Sequence, residues 1–159
     1  MPTTFPSPVT ETTSDTVQDY RRRGWTVVET TNGVCMITDE RISAVELTDA
    51  LAATVRRYLR ANNLSGPVIE IPGPQRREIH LVVGAAKSAM AIGALRAVGA
   101  IVHTVGASIP LPPTRLSAGS ACWGISPSEA RWVPPLVAIA AAVRAAESGR
   151  KPQLTDMAS

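Results

Sequence analysis

The sequence is poor in cysteine and in aromatic residues. Cys35 and Cys122 are the only two cysteines in 159 residues, and they do not have the spacing of a zinc ligand pair. The sequence therefore favours neither a disulfide framework nor a zinc site, and it predicts two buried free thiols in a cytoplasmic protein. Aromatic residues make up only 4% of the chain, so small aliphatic residues must fill most of a single-domain core.

Long hydrophobic runs are missing as well. No apolar stretch approaches the roughly 20 residues that a bilayer-spanning helix needs. The first residues, MPTTFPSPVTETTSD, lack the basic region and apolar block of a signal peptide. We therefore expect no membrane partner.

The sequence contains none of the motifs G-x-x-x-x-G-K-[ST], G-x-G-x-x-G, H-E-x-x-H or G-x-S-x-G. It has two histidines, and acidic residues are sparse in its predicted strands. A paired-carboxylate metal site is hard to build from such strands. These absences predict no cofactor and no metal site, and they favour a non-enzymatic protein.

Arginine, in contrast, is plentiful. Lys87 and Lys151 are the only lysines among 16 basic residues, and the formal net charge is +3. The guanidinium group binds phosphate through two parallel hydrogen bonds and stacks on bases. The composition is therefore compatible with a polyanionic partner.

Periodicity and turn residues divide the chain into a disordered tail (1–13), one domain (14–149) and a flexible C-terminal tail (150–159). The first helix is expected from Ser14 to Gly24, and a hairpin from WTVVET and GVCMIT. The strand ISAVEL leads into an amphipathic helix that turns Arg56, Arg57 and Arg60 outward. Later segments predict strands PVIEI, REIHLVV, AIVHTV, ASIPL and SACWGI, and helices at 85–99 and from Pro134 onward. We predict an α+β domain with a mostly antiparallel sheet and helices packed on one face.

Five segments in order carry a resemblance to a known family: YRRRGW (20–25), SAVELT (43–48), GPV (66–68), PGPQRREIHLVV (72–83) and VHTVGASIPLPPTRLSAGSACW (102–123). This series resembles bifunctional DNA primase–polymerase (prim-pol) domains of the archaeo-eukaryotic primase superfamily, in their short, degenerate actinobacterial form. The resemblance covers roughly residues 17–146. It implies a reduced prim-pol-like fold and an ancestral nucleotide site.

The departures from the family pattern concern its acidic metal ligands. Glu46 and Thr48 stand where the family has metal-binding aspartates, and His103 stands where it has a later aspartate. His80 lies where the family has a nucleotide-binding histidine. One glutamate with two imidazoles is a poor magnesium site, because magnesium prefers oxygen ligands. We therefore predict no catalytic residue and a lost polymerase activity.

The remaining candidates are residues that bind a nucleotide or nucleic acid. Alternation along the strands predicts that Glu46 and His80 point to one open face of the sheet, with His103 beside them. The alternative is that both histidines have structural roles. The full set of binding candidates is Arg76, Arg77, His80, Arg115, Glu46, His103 and Trp123.

Arg76 and Arg77 are expected to clamp phosphate, and Arg115 is presented by a proline-stiffened loop. The alternative for Arg76 and Arg77 is simple solvation in a polar turn. Trp123 is expected to pack in the core or, secondarily, to stack on bases.

Three functions stay open from the sequence. The first is a non-catalytic domain that binds nucleic acid or a nucleotide, as an accessory or regulatory protein. The second is a structural or interaction protein that forms a homodimer through the apolar C-terminal helix (136–146). The third is a residual nucleotidyl-transfer enzyme that uses Glu46, His80 and His103.

Overall fold

The structure is a computed structural model that describes the backbone of residues 8–158 and the side chains of residues 15–148. Of the predicted tails, residues 1–7 and 159 lie outside the described residues. Residues 8–13 belong to the first helix, and residues 150–158 continue the last one. No helix in the described part of the chain has both the length and the hydropathy needed to cross a bilayer.

Runs of two to five consecutive strands are separated by helices along the chain, which is an α+β order. The helices are α1 (Pro8–Arg22), α2 (Asp49–Ala61), α3 (Ala89–Ala97), α4 (Pro127–Ala130) and α5 (Leu136–Ala158). The first strands are β1 (Val27–Thr30), β2 (Gly33–Ile37), β3 (Ser43–Thr48), β4 (Val68–Ile71) and β5 (Arg77–Val82). The later strands are β6 (Ile101–His103), β7 (Ser108–Leu111), β8 (Arg115–Leu116), β9 (Gly119–Ser120) and β10 (Cys122–Ile125). The α+β prediction is confirmed.

The strands form a five-stranded sheet in the order β10-β4-β5-β3-β6, a three-stranded sheet β1-β2-β7 and the small hairpin β8-β9. All neighbouring strands in these sheets are antiparallel, as predicted. The predicted hairpin of β1 and β2 turns at Thr31 and Asn32, and Gly33, whose φ is +150°, follows the turn as the first residue of β2. A Cβ there would lie 2.6 Å from the Cα of Thr114, so only glycine fits.

Helices α2, α3 and α5 cover one face of the five-stranded sheet. Val45, Leu47 and Val82 project from the strands into this layer and are almost completely buried. From α2, Val55 and Leu59 meet them. This layer agrees with the prediction of helices on one face, and we call it the helical face.

The opposite face of the five-stranded sheet is covered too. Ala44, Ile79 and Leu81 project there into a second core, which they share with α1 and the three-stranded sheet. The predicted open face of the sheet is therefore wrong. The sequence pattern did not show that β1, β2 and β7 would leave the main sheet and fold over it as a separate layer.

The last helix packs inside its own chain. Leu136, Ile139 and Val143 are buried in the helical layer, where α5 contacts α2 and α3. Val137, by contrast, is half exposed. The apolar start of α5 is thus largely buried within its own chain. A homodimer through this helix stays a prediction.

Two smaller predictions are wrong. Cys122 is exposed and Cys35 is partly exposed, so the two thiols are not buried. Cys122 opens the edge strand β10, which has a neighbour on one side only. Met90, which the small-residue helix pattern of residues 85–99 predicts inside together with Leu95, is 91% exposed, because within α3 it lies five residues, or about 140° around the helix axis, from the buried Leu95.

Candidate functional site

The register of β3 and β5 separates two of the residues that the sequence placed together. Val45 pairs with His80, and Glu46 pairs with Ile79. Directly paired residues of antiparallel strands point to the same face. His80 therefore faces the helices, whereas Glu46 faces the second sheet. The prediction that they share one face is wrong, because each strand has apolar residues on both of its sides.

Glu46 belongs to an ion-pair cluster on the face of the five-stranded sheet that is opposite to the helical face. Its Oε2 accepts hydrogen bonds from Arg77 Nε at 2.8 Å and from Arg77 Nη2 at 2.6 Å. His103 Nε2 lies 3.3 Å from its Oε1. Glu46 and His103 are therefore neighbours, as predicted. The Glu46 carboxylate is buried and forms an ion pair with Arg77, so the Arg77 guanidinium is already occupied by a protein partner.

A second cluster surrounds Glu78 on the helical face. Glu78 is fully buried, and its Oε1 accepts from Arg76 Nη2 at 2.7 Å, Arg76 Nε at 3.1 Å and Arg56 Nη1 at 3.2 Å. Its Oε2 lies 3.3 Å from Nε2 of the buried His80. An ionised carboxylate only accepts hydrogen bonds, so His80 Nε2 carries the proton of this pair.

The protonation states of this cluster follow from its contacts. Burial raises the pKa of Glu78. Hydrogen bonds from His80, Arg76 and Arg56 outweigh burial and lower that pKa to about 2. For His80, burial lowers the pKa more than the contact with Glu78 raises it. At neutral pH the cluster therefore consists of a carboxylate, a neutral imidazole and two guanidinium ions.

Arg56 joins two carboxylates that face each other across neighbouring strands. Glu70 on β4 pairs directly with Glu78 on β5. Like charges at such a position repel. Arg56 Nη1 lies 3.0 Å from Glu70 Oε2 and 3.2 Å from Glu78 Oε1, so one guanidinium from α2 bridges them. The amphipathic phase of α2 thereby fixes the position of Arg56.

An arginine-rich cleft opens above this bridge. Its volume is about 580 Å³, and it is lined by Ala53, Arg56, Arg57, Arg60, Ser65, Arg76, Ile125 and Glu129. We call it the arginine cleft. Arg57 and Arg60 are exposed, and neither makes an ion pair within the described part of the chain. The acidic lining residue, Glu129, accepts a hydrogen bond from the Ser126 amide in the N-terminal cap of α4.

A second cleft lies on the other side of Arg76. It has a volume of about 480 Å³ and includes Arg76, Arg77, Ser120 and the exposed Cys122 in its lining. Ser120 pairs with Arg115 across the β8-β9 hairpin. Directly paired residues have neighbouring side chains, so the exposed Arg115 stands at the edge of this cleft. Arg76 is common to both clefts.

Trp123 belongs to an aromatic cluster rather than to either cleft. Its ring centroid is 6.2 Å from that of Tyr20 and 6.3 Å from that of Trp25. Trp123 Nε1 donates to Tyr20 Oη, which donates to the Pro112 carbonyl. Burial raises the pKa of Tyr20 to about 12. The core role of Trp123 is the one that its contacts support.

Several residues of the arginine cleft were not among the sequence candidates. The sequence predicts that Arg56, Arg57 and Arg60 point outward from α2, but it does not single them out as binding residues. Alternation in REIHLVV also places Glu78 on the side of His80, which the sequence predicts to be open. The missed signal was the alternation of Glu78 with His80 beside Arg76, which indicates a buried polar cluster once the sheet is covered on both faces.

Comparison of the chain with protein-family models, with curated proteins and with solved structures gave no match. An inference about the ligand therefore depends on the chemistry of the side chains that line the two clefts. Among the described residues, no three His, Cys, Asp or Glu side chains converge as a metal-binding group. Arg57, Arg60 and Arg115 are exposed and make no ion pair in the described part of the chain, and the chemistry of guanidinium groups is the binding of anions.

Proposed function

We propose that this chain is a non-catalytic domain that binds nucleic acid or a nucleotide through the phosphates. The observation that carries the proposal is the arginine cleft, in which Arg57 and Arg60 have no acidic partner within the described part of the chain. Arg76 donates two hydrogen bonds to the buried Glu78, and these bonds hold the Arg76 guanidinium in place in the same cleft. Because that geometry exists before a ligand arrives, less side-chain entropy is lost on binding.

The positions of the acidic residues favour a non-catalytic role. A nucleotidyl-transfer site would need Glu46, His80 and His103 around one metal-bound triphosphate. His80 lies on the opposite face of the sheet from Glu46, and the Glu46 carboxylate is held by Arg77. In the arginine cleft the acidic lining residue is Glu129, which caps α4, and one carboxylate is too few for a site that holds two catalytic cations.

The ancestry and the cellular location belong to the same proposal. The ordered motifs from YRRRGW to SACW support descent from a prim-pol domain whose polymerase residues have been replaced. The α+β fold agrees with that descent, although a fold by itself does not transfer a function. The two unpaired cysteines favour the cytoplasm.

The test is the salt dependence of binding. Fluorescence anisotropy of a labelled single-stranded oligonucleotide gives the dissociation constant at several salt concentrations, and competition with a nucleoside triphosphate tests the nucleotide form. Each phosphate contact contributes about 0.7 to the slope of log affinity against log salt for single strands. Replacing both residues in the variant Arg57→Gln/Arg60→Gln is expected to reduce the slope by about 1.4 and to weaken binding at low salt.

The matched control is Arg144→Gln, which removes an exposed helical arginine that does not line the arginine cleft. It is expected to keep most of the wild-type affinity. A dissociation constant that does not change with salt concentration contradicts the proposal, and so does a double variant that binds as tightly as the wild type.

A further inference from the structure

We infer that the arginine cleft takes single-stranded nucleic acid, with a base stacked on Trp132 and the backbone phosphates on Arg57 and Arg60. This inference rests on the proposed function and specifies its ligand. Trp132 does not belong to the aromatic cluster of Tyr20, Trp25 and Trp123. Trp132 is 43% exposed, although it is one of three tryptophans in an aromatic-poor chain.

Trp132 is fixed at the rim of the arginine cleft. Its indole Nε1 donates to the Ser65 carbonyl oxygen at 3.1 Å, and Ser65 is a lining residue of the cleft. The hydrogen bond occupies the polar edge of the indole. It leaves the exposed part of the ring available for contact with a flat, apolar group.

The backbone around Trp132 is fastened on both sides. Before it, a capping box between Ser126 and Glu129 fixes the start of α4. After it, Pro134 packs so tightly on Gly66 that a Cβ at that glycine would lie 2.1 Å from the proline Cδ. The Pro134 carbonyl also accepts from the Val83 amide at 2.9 Å. The ring is thus presented by a preorganised segment.

A half-exposed, fixed tryptophan beside free guanidinium groups is the combination that single-strand-binding proteins use. Aromatic rings stack on the faces of unpaired bases, and basic side chains follow the backbone. Bases inside a duplex are already stacked on one another, so Trp132 gains little from double-stranded nucleic acid. The pairing of Trp132 with Arg57 and Arg60 therefore favours a single strand over a duplex.

The extent of the basic surface favours a strand over one nucleotide. Beyond Arg76 the surface continues into the second cleft, with Arg77 in its lining and Arg115 at its edge. Arg76 and Arg77 are both held in ion pairs with buried carboxylates, so the exposed Arg115, which has no ion pair in the described part of the chain, is the group that can contact a further phosphate there. A single nucleotide bound at Trp132 would leave this second cleft unused.

The experiment uses the full chain and three probes: a thymidine oligonucleotide of about 12 nucleotides, an abasic strand of the same length, and a duplex of the same length. Anisotropy gives the three dissociation constants. We expect the thymidine strand to bind about 10-fold or more tightly than the abasic strand, and more tightly than the duplex.

Two variants of Trp132 isolate the aromatic face. Trp132→Phe and Trp132→Leu both lose the hydrogen bond to Ser65, but only phenylalanine keeps a ring on which a base can stack. We expect Trp132→Leu to reduce the affinity for the thymidine strand to that for the abasic strand. Trp132→Phe is expected to stay within about threefold of the wild type. Thermal unfolding of both variants verifies that each is folded.

The outcomes separate this inference from the proposed function. Equal binding of thymidine and abasic strands, lost in Arg57→Gln/Arg60→Gln, overturns stacking and leaves phosphate binding in place. Preference for the duplex, or equal effects of Trp132→Phe and Trp132→Leu, also overturns the inference. Absence of binding to all three probes at low salt overturns both proposals.

Discussion

Replacing the buried Glu78 by glutamine tests the charge cluster that supports the arginine cleft. The variant Glu78→Gln keeps the shape of the side chain and removes its negative charge. Arg56, Arg76 and His80 then face a neutral amide, and the Arg56 guanidinium, whose side chain is only 24% exposed, loses one of its two carboxylate partners. Removing one partner of a buried ion pair is strongly destabilising.

The magnitude follows from the pKa of Glu78. Its fall from 4.5 to about 2 on folding corresponds to about 3 kcal/mol of stability at neutral pH. Because the folded-state pKa is the lower one, this stability is present above about pH 4.5 and is lost as the pH falls towards 2. At about pH 3, less than half of it remains.

The assay is urea unfolding followed by circular dichroism at pH 7 and pH 3. We expect Glu78→Gln to lower the free energy of unfolding by about 3 kcal/mol at pH 7 and by about 1.4 kcal/mol at pH 3. In a thermal scan at pH 7, the corresponding fall in Tm is about 6–12 °C for a chain of this size.

The matched control is Glu70→Gln, which changes the neighbouring carboxylate on the same guanidinium. Glu70 has a side-chain exposure of 47%, against 0% for Glu78. An exposed ion pair contributes about 1 kcal/mol or less. Equal losses in the two variants, a loss below about 1 kcal/mol in Glu78→Gln, or a loss that does not change with pH would refute the reasoning.

Two further predictions concern packing. Thr114 Oγ1 accepts from the Val34 amide at 2.9 Å and donates to the Val34 carbonyl at 2.6 Å, so Thr114→Val is expected to lower the free energy of unfolding by about 2 kcal/mol; an unchanged urea midpoint would argue against this. Gly66→Ala places a Cβ 2.1 Å from Pro134 Cδ and is expected to cost more than about 2 kcal/mol in the same assay. Gly93→Ala, with nothing within 4 Å of its Cβ in α3, should instead stabilise by about 0.5–1 kcal/mol. Similar midpoints for the two alanine variants would contradict the packing argument.

Local signals predicted the secondary structure well where they were repeated. In α2 the apolar residues Val55 and Leu59 recur four residues apart, and the helix ends before Asn63, which has a positive φ of 56°. Thr48 precedes α2 and its residue type predicts a side-chain cap, but the Thr48 side chain makes no capping hydrogen bond. The spacing of apolar residues and the residues that favour turns are properties of short segments. They therefore predict helices and strands without knowledge of what packs against those elements.

The candidate site needed information that short segments do not carry. Alternation in SAVEL and REIHLVV correctly divided each strand into two sides. It did not tell which side of β3 matches which side of β5. That match depends on the register, in which Val45 rather than Glu46 lies opposite His80. A shift of one residue would have placed Glu46 and His80 on one face.

The arginines of the arginine cleft fall into two groups: those that form ion pairs within the protein, and those that have no such partner in the described part of the chain and can bind a ligand. Two facing carboxylates, Glu70 and Glu78, require positive charge, and Arg56 and Arg76 provide it. The stability of the fold therefore accounts for those two residues. It does not account for Arg57 and Arg60, which line the same cleft without an ion-pair partner in the described part of the chain. For this reason the binding proposal depends on Arg57 and Arg60, and variants of Arg76 or Arg56 would test stability and binding at once.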